Sequence, residues 1–277
     1  MEDNNDLFAD LPSAKAPIGK VLSHYTSLDG FLSIVNQNHI RASNILFLND
    51  TEEMEYGMKV AREVLTTLTG TKQSQKLLAT QNIPDVYACC FCERPDMLSQ
   101  WRGYGASGQS VSIQFDADQL SALASGQQFE LSKVIYGRKQ AITLLRKRLS
   151  SAESTASIVR SLMGSPDGSD YTADDARRTS ILDLAPRFKN DAFEEEKEWR
   201  IIVKAHVAKK IDYRVRDNVI IPYVNIGSSD SRLPITRVTV GPGKDSELTR
   251  RSIEKFISQN IFYNSVEVAT SNIPFRT

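Results

Sequence analysis

The first apolar segment of the chain predicts a strand followed by a helix. Residues 21–26 form a short apolar run with two small polar residues, which is typical of a strand. Ser27 can cap the helix that follows, because a serine oxygen accepts from the first free backbone amides. The apolar positions of that helix recur at a spacing of three or four residues and form one predicted buried face: Leu28, Phe31, Leu32 and Val35.

A second helix is predicted after residue 50. The segment 45–48 is apolar and predicts an extended stretch before it. Asp50 or Thr51 can cap the helix, and the acidic residues of its first turns lie where the helix dipole favours negative charge. Its predicted buried face includes Met54, Met58 and Leu65.

The rest of the chain mixes strands and helices. Strands are predicted at 85–92, 111–116, 131–137, 196–203, 213–224 (a pair turning at Asp217-Asn218), 235–240 and 266–270. A short helix that ends in glycines is predicted within 93–109, a further helix at 246–258, and a helical insert at about 138–190. Strands occur in runs without strict alternation with helices, which favours the α+β class. No internal repeat or long linker divides the chain, so we expect a flexible N-terminal arm at 1–17 and one domain at 18–277.

Composition is that of an ordinary globular protein. The chain has 277 residues, of which 40% are hydrophobic and 25% charged. Lys plus Arg and Asp plus Glu are both 34, so the overall charge does not favour nucleic acid. No run approaches the ~18 apolar residues of a membrane helix, and the acidic start lacks the order of a secretion signal. We therefore expect a cytoplasmic protein that does not bind membranes.

The three cysteines, Cys89, Cys90 and Cys92, lie within four positions. They cannot build a disulfide framework, which favours a reducing compartment. No second cysteine pair or nearby histidine completes a zinc site, so we predict reduced thiols and no metal.

Residues 194–203 carry the most informative pattern. Because side chains alternate along a strand, Glu196, Glu198 and Arg200 are predicted to share one face, opposite an apolar face that holds Trp199. One interpretation is an exposed face with a solvated ion pair. However, glutamate is a poor strand former, and two neighbouring carboxylates repel unless a positive group lies between them. A cationic ligand or transition state would supply that group.

Two further segments hold candidate functional residues. His24 lies within the otherwise apolar first strand, where it is either a hydrogen-bonded core residue or a functional one. Trp101 and Tyr104 fall on one face of a helical turn beside glycines. They form either an aromatic core pair or a platform on which a planar ring stacks.

Taken together, these motifs resemble a known family. The chain contains H-Y-T (24–26), F-L-N-D-x-x-E (47–53), L-S-x-W-x-x-Y-G (98–105), F-K-x(6)-E-x-E-W-R (188–200) and S-x-I-P-x-R (271–276). This set is similar to a bacterial domain-of-unknown-function family grouped with the ADP-ribosyltransferase-like superfamily. The resemblance is to its H-Y-E branch, which includes diphtheria-toxin-like enzymes and poly-ADP-ribose polymerases.

The resemblance implies a split β-sandwich with surrounding helices and NAD in the cleft. It implies that His24 binds the adenosine-side ribose and that the backbone of Tyr25 or Thr26 meets the nicotinamide amide. Tyr104, or alternatively Trp101, would stack on the nicotinamide ring. Glu198 would be the catalytic glutamate, and Glu196 would face the acceptor nucleophile.

A second group of residues is placed near the dinucleotide less specifically. Arg102, Lys189 and Arg276 are expected near the pyrophosphate, because the chain has no glycine-rich phosphate loop. Asn49 is counted among the NAD-binding residues, while the roles of Asn49 and Asp50 stay open.

The activity implied is NAD-dependent mono-ADP-ribosyl transfer to a protein or nucleic acid, with release of nicotinamide. The resemblance also suggests a toxin or phage-defence effector. The helical insert, which lies near the proposed glutamates in sequence, is a candidate docking site for an acceptor protein or an inhibitory partner. The alternatives are an NAD glycohydrolase and a binding module that senses a nucleotide or partner without turnover. Facing carboxylates favour catalysis over sensing.

Overall fold

The computed structural model describes residues 21–48, 52–79, 85–105, 108–163, 171–216 and 218–274. The arm expected at 1–17 lies outside these ranges, as do Asn49, Asp50 and Arg276. Within them, no helix is both long enough and apolar enough to cross a membrane.

Twelve strands are assigned in the described ranges. They are β1 (Val21–Ser27), β2 (His39–Asn44), β3 (Val86–Cys92), β4 (Ser110–Asp116), β5 (Glu130–Lys133), β6 (Ile135–Tyr136), β7 (Phe188–Lys189), β8 (Glu198–Lys204), β9 (Asp212–Arg216), β10 (Val219–Gly227), β11 (Ile235–Val240) and β12 (Glu267–Thr270).

The α-helices in those ranges are interspersed with the strands. They are α1 (Leu28–Gln37), α2 (Glu52–Thr69), α3 (Thr71–Leu77), α4 (Leu98–Gly105), α5 (Ala117–Gly126), α6 (Arg138–Ser150), α7 (Ala152–Met163), α8 (Ala173–Leu184) and α9 (Ser246–Ser258). Short 3₁₀ turns cover Ile45–Phe47, Ala185–Arg187 and Asp191–Glu196. The fold is mixed, in agreement with the predicted α+β class.

Ten strands form one mixed, mainly antiparallel sheet. Its principal path runs β12-β11-β4-β1-β3-β2-β10-β9, and β8 joins β3 to β5. The pair β11–β12 is parallel, and β6 and β7 form a separate parallel pair.

The sheet branches at β3, and this branch positions the site. One edge of β3 pairs along its whole length with β8. The other edge is shared, because β1 pairs only at Cys92 and β2 pairs only at Tyr87 and Ala88. The two ribbons that continue from β1 and β2 therefore separate along the middle of β3.

The main core lies on one face of the sheet. Alternate residues of β3 and β8, including Phe91 and Ile201, pack there with apolar residues of α1, α5 and α9. A second apolar cluster joins α2 and α3 to α6 and α8. Helices α6, α7 and α8 lie within the predicted helical insert, and α6 and α8 pack on α2, whereas Phe188–Lys189 near its end form the strand β7.

Two local predictions are wrong, and one strand of the sheet is missing from the predictions. Segment 45–48 is predicted as extended, but Ile45–Phe47 is a 3₁₀ turn whose N-cap Asn44 accepts from Leu46 N. Leu32 is expected in the core, but its side chain is 40% exposed, since Ile34 takes the buried position beside Phe31. Strand β2 was not predicted. In contrast, Ser27 caps α1 as expected, with its oxygen accepting from Gly30 N at 3.1 Å.

Candidate functional site

A cavity of about 680 Å³ opens where the sheet branches. Its lining includes residues of β1, β2, β3, β8 and β9, and it reaches the 3₁₀ turn before β8. This volume lies within the range typical of small-molecule sites. His24, Glu196 and Glu198 all line it, so the structure brings the three main predicted residues to one site.

His24 occupies the gap in the pairing of β3. Its Nδ1 lies 2.9 Å from the carbonyl oxygen of Cys90, a residue between the segments that pair with β1 and β2. Because a carbonyl only accepts, Nδ1 carries the proton, which leaves Nε2 as an acceptor. Burial lowers the pKa of His24, the Cys90 bond opposes this, and the positive charge of Arg214 lowers it further. The imidazole is therefore neutral near pH 7.

Glu198 begins strand β8 and is buried, with 4% of its side chain exposed. Arg200 holds it through Nε to Oε1 at 2.7 Å and Nη2 to Oε2 at 3.1 Å. Lys189 Nζ donates to Oε2 at 2.9 Å, and the Tyr136 hydroxyl accepts from the Glu198 backbone amide at 2.8 Å. Burial alone would raise the pKa of Glu198, but Arg200 and then Lys189 outweigh it and lower the pKa to about 2. The carboxylate is thus a fixed negative charge.

Glu196 lies beside Glu198 but not on the same strand. It ends the 3₁₀ turn, and Lys197, with a φ of 46°, separates it from β8. Lys189 Nζ reaches Glu196 Oε2 at 2.7 Å, so this lysine bridges the two carboxylates. The expected shared strand face is therefore wrong for Glu196, and the interpretation of an exposed, solvated face is wrong for Glu198 and Arg200, which are both buried. The positive group between the two carboxylates is the amine of Lys189, a residue of the chain itself.

Lys189 was expected near a pyrophosphate. It lines the cavity, but β7 places it beside Tyr136 on β6, where it pairs with both acids. Its charge is therefore already balanced by the carboxylates of Glu196 and Glu198.

Trp101 is not placed to stack on a ligand. Its side chain is 1% exposed, does not line the cavity, and donates from Nε1 to Asp96 at 2.6 Å. It packs edge-on against Tyr25 at 4.8 Å between ring centroids. The core interpretation is the one the structure shows, because Met97 and Cys92 complete a small apolar cluster around the two rings.

The other predicted residues are placed as follows. Tyr25 and Thr26 line the cavity, and the Tyr25 hydroxyl donates to the carbonyl oxygen of Arg94 at 2.9 Å. Arg102 is exposed on α4 and is not among the lining residues. The side chain of Tyr104 lies outside the described part of the chain.

Sequence analysis missed four lining residues that carry a charge or an aromatic ring. Arg41 on β2 and Arg214 and Arg216 on β9 bring three guanidinium groups to the cavity, and Phe193 adds an aromatic ring that is 39% exposed. Lys189 Nζ lies 4.9 Å from the centroid of that ring. The segment Tyr213-Arg214-Val215-Arg216 has the alternation of a strand, and the structure leaves Tyr213 and Val215 exposed. The alternation alone does not show which face of the strand lines a cavity.

The cysteines of β3 line the cavity as free thiols. Burial raises the pKa of Cys89 to about 12, and burial together with the charge of Glu198 raises the pKa of Cys92. Both thiols therefore stay protonated, which suits neither a nucleophile nor a metal ligand. In the ranges described, no group of three or more His, Cys, Asp or Glu residues is arranged to hold a metal ion.

Comparison with known proteins finds a match to a family model over part of the chain. Residues 100–201 match the model of a family described as Protein of unknown function (DUF2971). The match covers α4 through the first residues of β8 and includes Lys189, Glu196 and Glu198. No curated protein and no solved structure matches the chain.

Proposed function

We propose that this chain is an NAD-dependent mono-ADP-ribosyltransferase with an ADP-ribosyltransferase-like split β-sandwich. It transfers ADP-ribose to a protein or nucleic acid and releases nicotinamide. The observation that carries the proposal is that His24 and Glu198, from strands on opposite edges of β3, line one cavity large enough for a nucleotide.

The branched sheet supports the fold assignment. A split β-sandwich needs two ribbons that separate to leave a cleft, and the ribbons from β1 and β2 do so along β3. His24 then lies in the cleft with an imidazole acceptor, which suits a hydrogen bond from a ribose hydroxyl.

The electrostatics of Glu198 support bond cleavage at an anomeric carbon. When the C1′–N bond breaks, nicotinamide leaves with the bonding electrons and positive charge builds on the ribose. A fixed carboxylate stabilises this charge more in the transition state than in the ground state. Glycosidases use carboxylates against the same kind of charge. The acceptor nucleophile then bonds to C1′ and loses its proton.

The two carboxylates differ in access, which supports different roles. Glu198 is held by Arg200, Lys189 and Tyr136 and has 4% of its side chain exposed, whereas Glu196 has 15% exposed. We assign the fixed charge beside the ribose to Glu198 and the orientation of the acceptor to Glu196.

One observation favours a second candidate, a nucleotide-binding module without turnover. Both oxygens of Glu198 already have cationic partners, so the four charges of Glu196, Glu198, Lys189 and Arg200 balance. A carboxylate so neutralised stabilises a ribosyl cation less than an isolated one does.

Nicotinamide release from NAD distinguishes the candidates. We expect release by the wild-type chain in the presence of an acceptor, and a loss on the order of a hundredfold or more in Glu198→Gln. Glu195→Gln, an exposed residue in the same 3₁₀ turn, is the matched control and retains activity.

Thermal unfolding tests whether the Glu198→Gln variant is folded, and titration with NAD tests whether it still binds NAD. Label from the adenosine half of NAD should appear on a macromolecule, whereas free ADP-ribose indicates the glycohydrolase. NAD binding without release of nicotinamide supports the binding module, and equal release by Glu198→Gln overturns the assignment of this residue.

A further inference from the structure

One end of the cavity is built from arginines rather than acids. Arg41 on β2 and Arg214 and Arg216 on β9 all line it. Arg214 Nη2 donates to Ser43 Oγ at 3.0 Å, and Ser43 pairs with Ala88 of β3. Glu198, by contrast, pairs with Cys92. Four residues of β3 therefore separate the two ends, or about 13 Å at roughly 3.3 Å per residue.

Two arginines of this end, Arg41 and Arg214, carry positive charge that the described carboxylates do not balance. In the part of the chain that the structure describes, neither Arg41 nor Arg214 forms an ion pair. The nearest acid along β9, Asp212, is paired with Lys210 at 2.6 Å and accepts from Asn225 at 3.0 Å. Burial, and then the charges of Arg41 and Arg216, lower the pKa of Arg214, which agrees with like charges held close together.

The arginine side chains are fixed by neutral partners. Arg41 Nη2 donates to Ser33 Oγ at 2.6 Å, and its guanidinium lies 5.0 Å from the centroid of the Tyr223 ring. Arg214 Nε is buried without a hydrogen-bond partner among the described residues. Buried polar groups are nearly always paired in native proteins, so the Arg214 side chain, which lines the cavity, keeps unused hydrogen-bonding capacity.

We propose that Arg41 and Arg214, with Arg216 beside them, form a phosphate-binding subsite that holds the phosphates of the nucleotide substrate at the end of the cavity opposite Glu198. Guanidinium groups suit this role, because their planar donors match phosphate oxygens. The identity of the nucleotide rests on the proposed function, but phosphate binding itself requires no turnover. The subsite also replaces Lys189 and Arg102, which the structure pairs with acids or places outside the cavity lining.

Equilibrium titration of the full chain with ADP, an unreactive probe, tests the subsite. Arg41→Gln and Arg214→Gln should each weaken ADP binding about tenfold or more, since each removes a charge-assisted hydrogen bond. Adenosine, which lacks phosphate, should bind all variants equally. Arg232→Gln, an exposed residue outside the cavity, removes the same charge and should leave ADP binding unchanged. Thermal unfolding confirms that each variant is folded.

Two nucleotides identify which phosphate the arginines hold. In a Glu198→Gln background, which blocks turnover, an equal loss for NAD and NADP assigns them to the diphosphate. A larger loss for NADP than for NAD shows that the arginines also reach a phosphate on the adenosine ribose. A loss for NADP alone, like unchanged ADP binding, overturns the subsite.

Two results with ADP overturn the subsite: wild-type ADP binding in the Arg41→Gln/Arg214→Gln variant, or no ADP binding by the wild-type chain at millimolar concentration. Arginine-dependent ADP binding without nicotinamide release would overturn the proposed function and leave the subsite standing. Nicotinamide release together with ADP binding that does not depend on the arginines would overturn the subsite and leave the proposed function standing.

Discussion

The imidazole of His24 donates from Nδ1 to the backbone carbonyl of Cys90 across 2.9 Å, between the β3 residues that pair with β1 and those that pair with β2. A side chain thus completes the hydrogen bonding that a neighbouring strand normally supplies. The ring is thereby held as one neutral tautomer in the cavity.

The first prediction concerns the pH dependence of stability. The folded-state pKa of His24 lies below its ordinary value of 6.5, so only the unfolded chain takes up this proton as the pH falls through 6.5. Stability should therefore decrease below pH 6.5, with a slope of at most about 1.4 kcal/mol per pH unit from this residue. Urea unfolding between pH 5 and 8 measures it. His24→Asn should remove this component, and the exposed His206→Asn should retain it. The same slope in both variants would contradict the assignment.

The second prediction concerns the buried ion pair of Arg200 and Glu198. Arg200→Met should reduce the free energy of unfolding by about 3–5 kcal/mol, because it leaves a buried carboxylate with one cation fewer. Adding Glu198→Gln should recover part of this loss. Arg237→Met breaks an exposed pair with Glu267 and should change stability by less than about 1 kcal/mol. Similar losses in the two single variants would show that the buried pair has no special weight.

The third prediction concerns acid unfolding. The pKa of Glu198 is lowered to about 2 from an ordinary value of 4.5, so its contribution is complete above pH 4.5 and is lost as the pH falls from 4.5 towards 2. Circular dichroism during acid titration should show a shallower decline in this interval for Glu198→Gln than for wild type. An unchanged curve would place the acid sensitivity in other carboxylates.

The fourth prediction concerns Phe193, whose ring lines the cavity beside Lys189. If a planar ring of the substrate stacks there, Phe193→Ala should weaken NAD binding by about 1–3 kcal/mol, the usual range for base–aromatic stacking. Its partly exposed position predicts little change in melting temperature. Ile261→Ala, which truncates an exposed apolar residue outside the cavity, is the control for calorimetric titration. Equal NAD affinity in both variants would exclude stacking on Phe193.

The fifth prediction concerns the contact between α2 and the turn that follows α8. A Cβ atom at Gly57 would lie 2.3 Å from the carbonyl oxygen of Ala185, so Gly57→Ala should destabilise the chain even though alanine favours a helix. Gly103→Ala, in α4, meets nothing within 4 Å and should gain about 0.5–1 kcal/mol. Thermal unfolding compares the two variants, and a stabilised Gly57→Ala would contradict the packing described here.

Most strands and helices follow from local sequence patterns. The helix at Ser246–Ser258, the hairpin turning near Asn218 and the buried β3 all appear where apolar spacing and turn residues predict them. Strand β2 was missed because its sequence, HIRASN, has mixed polarity, and its burial comes from pairing with the distant β10.

The site was predictable where its residues lie on recognisable strands and not where distant segments meet. Glu198 and His24 each stand out within a local motif. Lys189 was assigned to phosphate because sequence does not show that β7 aligns with Tyr136 and brings its amine to Glu198. Arg41 and Arg214 converge only through the register of β2, β10 and β9.

The branching of the sheet separates the cavity into parts that can evolve independently. Strand β3 is paired along one whole edge with β8, which also carries Glu198. The arginine end of the cavity belongs to a ribbon that pairs with β3 at only two residues, Tyr87 and Ala88. Substitutions in the β9–β10 ribbon can therefore change which ligand the cavity binds without altering Glu198. We expect homologues with this architecture to differ first at the arginine end of the cavity.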